Sequence, residues 1–134
     1  MKTLEADFRR SIVSAIGRFC DIAMIENMVE SGCPDLTICY KGIESWVELK
    51  VQGQSGVLLR KFQVPWGMRR AAHGGRVFIF AEQGTTIRVW RYPHVVFEPY
   101  GKKYSRITSL PHHTFSHVTQ LKTILFSNET CQFT

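Results

Sequence analysis

The sequence predicts an α/β fold. Three observations carry this: apolar residues recur at helical spacing near the N-terminus, two short β-prone runs flank a tight turn at Lys41-Gly42, and an apolar strand with its hairpin partner follows a second helical segment. At 134 residues the chain is long enough for one sizeable core and too short for two. A single domain over 1–134 is expected, with a core over about 1–92 and a C-terminal extension over about 93–134. No internal repeat, linker or low-complexity segment interrupts it.

The first helix is set by Leu4, Phe8, Ile12, Ala15, Ile16 and Phe19, with Thr3 as the expected N-cap. Its 3.6-residue period puts Glu5 on the face of Ile12 and Ile16, and Asp7 nearly opposite. Glu5 therefore points inward, towards a site, or else only meets the positive helix N-terminus, an effect of about 0.3 to 1 kcal/mol.

Leu36–Tyr40 is the first β-prone run and 44–51 the second. Side chains alternate along a strand, so Trp46, Glu48 and Lys50 share one face while Val47, Leu49 and Val51 share the other. One face can bury in a core and the other can carry chemistry. Pro34, with fixed φ and no N–H, suits the turn into the first strand and leaves Asp35 at its mouth. Hairpin pairing then brings Asp35 back near Glu48.

The helix around Gln63 is complicated by Pro65, because proline inside a helix removes a hydrogen bond and clashes with the preceding turn. Either the helix is kinked, or it begins at Pro65 with Gln63 in the loop before it. Trp66 is expected in packing rather than as a base-stacking platform. Gly74-Gly75 can cap this helix, 76–81 is an apolar strand, Gly84 marks a turn and 86–90 is the hairpin partner. Pro93, Pro99, Gly101 and Pro111 then predict an irregular stretch, and Phe115, Val118, Leu121, Ile124 and Leu125 a final amphipathic helix packed inside.

Seventeen Lys and Arg against eleven Asp and Glu give a formal charge of +6, which favours a polyanionic partner. Arg60-Lys61 and Arg69-Arg70, with Arg9 and Arg10 on the first helix, are the expected phosphate contacts; Lys102-Lys103 is a further basic pair. Nothing resembles a recognition helix or zinc finger, so backbone contacts and substrate shape should dominate over sequence readout. Cys20, Cys33, Cys39 and Cys131 have no CxxC spacing, and there is no signal peptide or apolar run of roughly 20 residues. No membrane association and a reduced, cytoplasmic setting are expected. His112, His113 and His117 lack further ligands nearby and read as a polar loop leading into a helix rather than a metal cluster.

Asp35 and Glu48 are the residues whose chemistry is most informative. Two carboxylates a few ångströms apart repel, and either a shared proton or a cation relieves that repulsion. Hard oxygen ligands favour Mg²⁺ or Mn²⁺, with waters and substrate phosphate oxygens completing the shell. A metal there would activate water and neutralise a scissile phosphate, while Lys50 could hold the attacking water.

The ordered set Ile25-Glu26-Asn27, Gly32-x-Pro34-Asp35, Gly42-x-x-x-Trp46-Val47-Glu48-Leu49-Lys50, Gln63-x-x-Trp66 and Gly74-Gly75-Arg76-Val77-Phe78-Ile79 resembles the PD-(D/E)XK nuclease superfamily. It is closest in pattern to the virus-type replication-repair nuclease domain in its small, stand-alone phage form, over roughly the first two thirds of the chain. The resemblance implies a restriction-endonuclease-like core, a central mixed sheet flanked by helices, and Mg²⁺-dependent hydrolysis of DNA. It assigns metal binding to Asp35, Glu48 and the Leu49 carbonyl, and water activation to Lys50. It places Gln63 beside the metal on the helix after the Glu-x-Lys strand, and takes an additional acid from either Glu5 or Glu26. It also implies branched substrates such as Holliday junctions or flaps, and with them a homodimer, since symmetric cutting of two strands needs two sites. A sequence-tolerant, restriction-like endonuclease and a non-catalytic DNA-binding module are the alternatives the residues leave open.

Overall fold

The computed structural model describes residues 4–25 and 32–125. Helix α1 (Leu4–Ile16) is followed by strands β1 (Asp21–Met24), β2 (Leu36–Tyr40), β3 (Ile43–Val51) and β4 (Leu58–Arg60). Helix α2 (Gln63–Ala72) then leads to β5 (Val77–Gln83), β6 (Thr86–Arg91), β7 (Phe97–Tyr100), β8 (Tyr104–Ile107) and β9 (His113–Phe115). A 3-10 turn (Val118–Leu121) and a short helix α3 (Lys122–Leu125) close the described chain.

A six-stranded mixed sheet in the order β1-β2-β3-β5-β6-β9 forms the centre. Only β3 and β5 run parallel, joined through α2; the other neighbours are antiparallel. The β2–β3 hairpin turns on Lys41 and Gly42, both at positive φ (48° and 81°), as a two-residue turn that matches strand twist requires.

Both faces of the sheet are covered. On one, Phe8, Ile12 and Ile16 of α1 pack against Leu36, Ile38, Val47, Leu49, Phe78 and Phe80. On the other, Trp66 of α2 joins Leu59, Val77, Ile79, Trp90 and Tyr92, and the Trp46 and Trp66 rings meet at 5.2 Å. The alternation expected along β3 is therefore realised, but the Trp46, Glu48 and Lys50 face is also roofed, by α2 and by a second sheet.

That second sheet, in the order β4-β8-β7, corrects the expectation of an irregular stretch after residue 92. Pro99 sits within the edge strand β7, the kind of strand in which a missing N–H is tolerated. The expected helix beginning near Phe115 is likewise corrected: Phe115 lies on β9 beside β6, and helical structure begins only at Val118. Residues 126–134 with Cys131, the Thr3 cap and Glu26 with Asn27 lie outside the described residues. Helix α1 ends at Ile16, so Phe19 does not extend its buried stripe and is exposed, as is Leu4 at its first position. Among the described residues no helix is long and apolar enough to cross a membrane.

Candidate active site

Asp35 is held from two sides at the point where β2 begins. The pairing of β2 with β3 stops at Leu36 with Val47, so among the described residues no strand lies beside the β3 edge beyond it. The Asp35 carboxylate fills that place, accepting the Leu49 N–H at 2.8 Å, while its own carbonyl accepts the Ile25 N–H at 2.9 Å. Gly32, just upstream at φ +90°, passes so close to α2 that a Cβ there would lie 2.1 Å from the Phe62 carbonyl oxygen. Glycine is thus required for the approach that delivers Pro34-Asp35.

Glu48 is buried on the α2 side of β3 and hydrogen-bonds to the Asp35 side chain. Lys50, two residues along the same face, places Nζ 3.8 Å from Glu48 Oε2. Burial, then the Asp35 charge and the hydrogen bond to Asp35, push the Glu48 pKa well above the usual carboxylate value; Lys50 opposes this and Glu5 adds to it. Without a cation, burial and the Asp35 charge therefore favour the protonated form of Glu48.

These side chains line a cavity of about 650 Å³ together with Glu5, Arg60 and Gln63. Glu5 reaches it from the first turn of α1, although much of its surface remains exposed. Partial loss of hydration raises its pKa, with the Asp35 charge acting in the same direction and Lys50 and Arg60 against it. Asp7, by contrast, is exposed and paired with Arg10.

The Pro65 difficulty resolves in neither of the two expected ways. Helix α2 begins at Gln63, so Pro65 is its third residue, inside the first turn, where a backbone N–H would have no intrahelical partner and its absence costs no helical bond. Gln63 is therefore helical and faces the cavity. Its Oε1 accepts the Arg60 N–H at 2.8 Å, and its backbone carbonyl accepts the buried Tyr92 hydroxyl at 3.5 Å.

Of the expected phosphate contacts, the structure brings Arg60 to the cavity and Lys61 beside it. Arg69 and Arg70 lie in the last turn of α2, about 9 to 10 Å along its axis from Gln63 at its start. The Arg70 guanidinium rests over Trp46 and Trp66, at 4.8 and 4.9 Å from their ring centres. Arg9 and Arg10 are on α1 and do not line the cavity. Residues the sequence did not single out also line it: Gly53, Gln54, Ser55 and Gly56 after β3, and Tyr104 from β8. A Gly-x-x-Gly loop following a Glu-x-Lys strand is a local signal for the first four; Tyr104 carries none.

Among the described residues no three His, Cys, Asp or Glu side chains converge closely enough to enclose a metal. His113 lies on β9 and His117 caps the 3-10 turn, while His112 Nδ1 accepts the Arg91 N–H at 3.2 Å. A hard cation that keeps most of its water needs only one or two carboxylates. Asp35 and Glu48, in contact with each other at the cavity wall, fit that requirement.

No protein-family model and no curated protein sequence matches the chain. A solved structure does match in fold: Hjc of Archaeoglobus fulgidus, a Holliday junction resolvase from an archaeal hyperthermophile. The TM-score is 0.57 at 12% identity, covering 84% of this chain and 97% of that one. At that identity the likeness shows the architecture, a restriction-endonuclease-like α/β core built on a central mixed sheet.

Proposed function

We propose that the chain is a metal-dependent endonuclease of the PD-(D/E)XK type, in the virus-type replication-repair branch, that hydrolyses DNA phosphodiester bonds. The observation that carries this reading is the buried Glu48 in hydrogen-bond contact with Asp35, with Lys50 at 3.8 Å, at one wall of an open cavity.

Asp35 and Glu48 would hold Mg²⁺, or Mn²⁺ in its place. The Leu49 carbonyl leaves the same strand edge as the N–H bound to Asp35 and offers a neutral oxygen beside them. When bound, the metal supplies charge neutralisation at the phosphate and acidifies a water. Lys50 donates to the attacking water and orients it, and its charge favours the developing negative phosphate oxygens. Gln63, fixed through Arg60, positions the strand or the water from α2, and Glu5 supports the far side. Arg60 and Lys61 meet the flanking phosphates.

The substrate reading is branched DNA, four-way junctions or flaps, cut by a homodimer in the cytoplasm of a phage-infected or bacterial cell. The fold shared with a Holliday junction resolvase supports it, as does the excess of positive charge without a sequence-reading element.

The test is cleavage of a labelled four-way junction and of a fully paired duplex of matched sequence, with Mg²⁺, by the wild type, Asp35→Asn and Lys50→Ala. Wild-type cleavage should favour the junction, and each variant should lose about 10²-fold or more in rate while still binding DNA. Equal signals from all three proteins would sink the enzyme, and equal wild-type rates on both DNAs would sink the preference for branches.

A further inference from the structure

Next to the catalytic cavity lies a second one, of about 520 Å³, lined by Arg60, Lys61, Phe62, Lys102, Lys103 and Tyr104. Its walls come from two parts of the chain that the fold ties together. Arg60 and Tyr104 are partners across the β4–β8 pair, and the Lys61 N–H donates to the Lys103 carbonyl at 3.2 Å. Two of its residues, Arg60 and Tyr104, also line the catalytic cavity, so the two spaces adjoin.

Its chemistry is unusual for a solvated surface. Phe62 is 67% exposed and Tyr104 40% exposed. Four cations border them and, among the described residues, no carboxylate does. An aromatic ring left in water beside like-charged side chains gains nothing in the free protein; a ligand with a flat π-face and attached negative charge would satisfy both features.

We infer that this cavity binds an unpaired nucleotide of the DNA substrate, its base against Phe62 and Tyr104 and its flanking phosphates on Lys61, Lys102 and Lys103. The inference rests on the DNA-cleaving reading only for the nucleic acid it names. A paired base presents its faces to its stacked neighbours and cannot use the rings, so the cavity discriminates for DNA with unpaired nucleotides next to the scissile bond. Arg60, shared by the two cavities, sets the distance between that nucleotide and the cut.

Binding is read in EDTA by fluorescence anisotropy, with labelled single-stranded DNA and a fully paired hairpin as probes and with wild type, Phe62→Ala, Phe62→Trp and Tyr104→Ala as proteins. Phe62→Ala should weaken single-strand binding about tenfold and hairpin binding by less than about twofold, with Phe62→Trp restoring the wild-type value. Tyr104→Ala should act in the same direction. The indole emission that Phe62→Trp adds over the wild type should be quenched by single-stranded DNA and not by the hairpin. Equal losses on both probes, or none on either, would overturn the inference. So would a change in sedimentation mass on Phe62→Ala with single-strand affinity intact, which would assign the cavity to a second copy of the chain. Because turnover is not read, a wild type that binds but never cleaves would remove the nuclease reading and leave this one standing, whereas a wild type that binds neither probe would remove both.

Discussion

Replacing Glu48 by Gln should stabilise the metal-free protein while removing its activity. Glu48 is only 5% exposed, so its charge loses most of its hydration. Lys50 at 3.8 Å returns about 4 kcal/mol at an effective dielectric of about 20, and Asp35 at hydrogen-bond distance takes back a similar amount. The charge and the hydrogen bond of Asp35 together outweigh Lys50, so the desolvation penalty remains uncompensated. Since the folded-state pKa of Glu48 is raised, the native state holds more protons than the unfolded chain in the window between the two values. The associated stability is fully present below the ordinary carboxylate range and lost as pH rises through the raised value. Glutamine does not titrate, and its amide can still donate to Asp35. Relief of about 1 to 3 kcal/mol is therefore expected on the alkaline side. In a chain of this size each kcal/mol is worth roughly 3 to 5 °C in Tm. Thermal melts in EDTA at about pH 5 and about pH 8 should show a gain for Glu48→Gln that is larger at the higher pH. A gain no larger at the higher pH, or a loss there, would refute the reasoning. Mg²⁺ should then stabilise the wild type by about 2.7 kcal/mol at a hundredfold excess over its Kd, and the variant by less.

Other outcomes follow from the same geometry. Mn²⁺ affinity, read by calorimetry in buffers of different ionisation enthalpy, should rise from mildly acid to mildly alkaline pH with proton release, because binding displaces the proton that burial and the Asp35 charge favour on Glu48. Arg60→Ala should lower the slope of log affinity against log salt for DNA by about one. Arg70→Ala should change Tm more than that slope, since its guanidinium is stacked on Trp46 and Trp66. Gly67→Ala on α2 should destabilise the fold by about 1 to 3 kcal/mol despite alanine's better helix propensity. Its Cβ would lie 2.4 Å from the Tyr92 ring, and a raised Tm would contradict that packing.

The central hairpin was legible because every signal for it is local. Alternation in 44–51, positive-φ residues at Lys41-Gly42 and Pro34 ahead of the strand are all read within about 20 residues. The strand Leu36–Tyr40 has the expected bounds, and β5 and β6 lie within a few residues of theirs. Strand β1 was not legible, since it is an edge whose residues are mostly exposed and carry no apolar alternation. Strands β4 and β8 are three and four residues long and exist through pairing across more than 40 positions of sequence. That pairing is what carries Tyr104 to the cavity. Pro65 misled because a rule for helix interiors was applied to a first turn.

Asp35 combines a chemical and an architectural role, and the two can be separated. Its carboxylate stands where a β2 residue would pair, so the Leu49 N–H depends on it. Asp35→Asn keeps a carbonyl oxygen for that N–H, whereas Asp35→Ala leaves it without a protein acceptor. Both variants remove the charge that raises the pKa of Glu48, so the difference between them isolates the hydrogen bond. That bond is partly buried, which allows water to replace some of it, and Asp35→Ala should melt below Asp35→Asn by about 1 to 2 kcal/mol in EDTA. Both should be equally inactive with Mg²⁺. Equal melting temperatures would mean that the sheet closes without Asp35, and would leave its position beside Glu48 explained by chemistry alone.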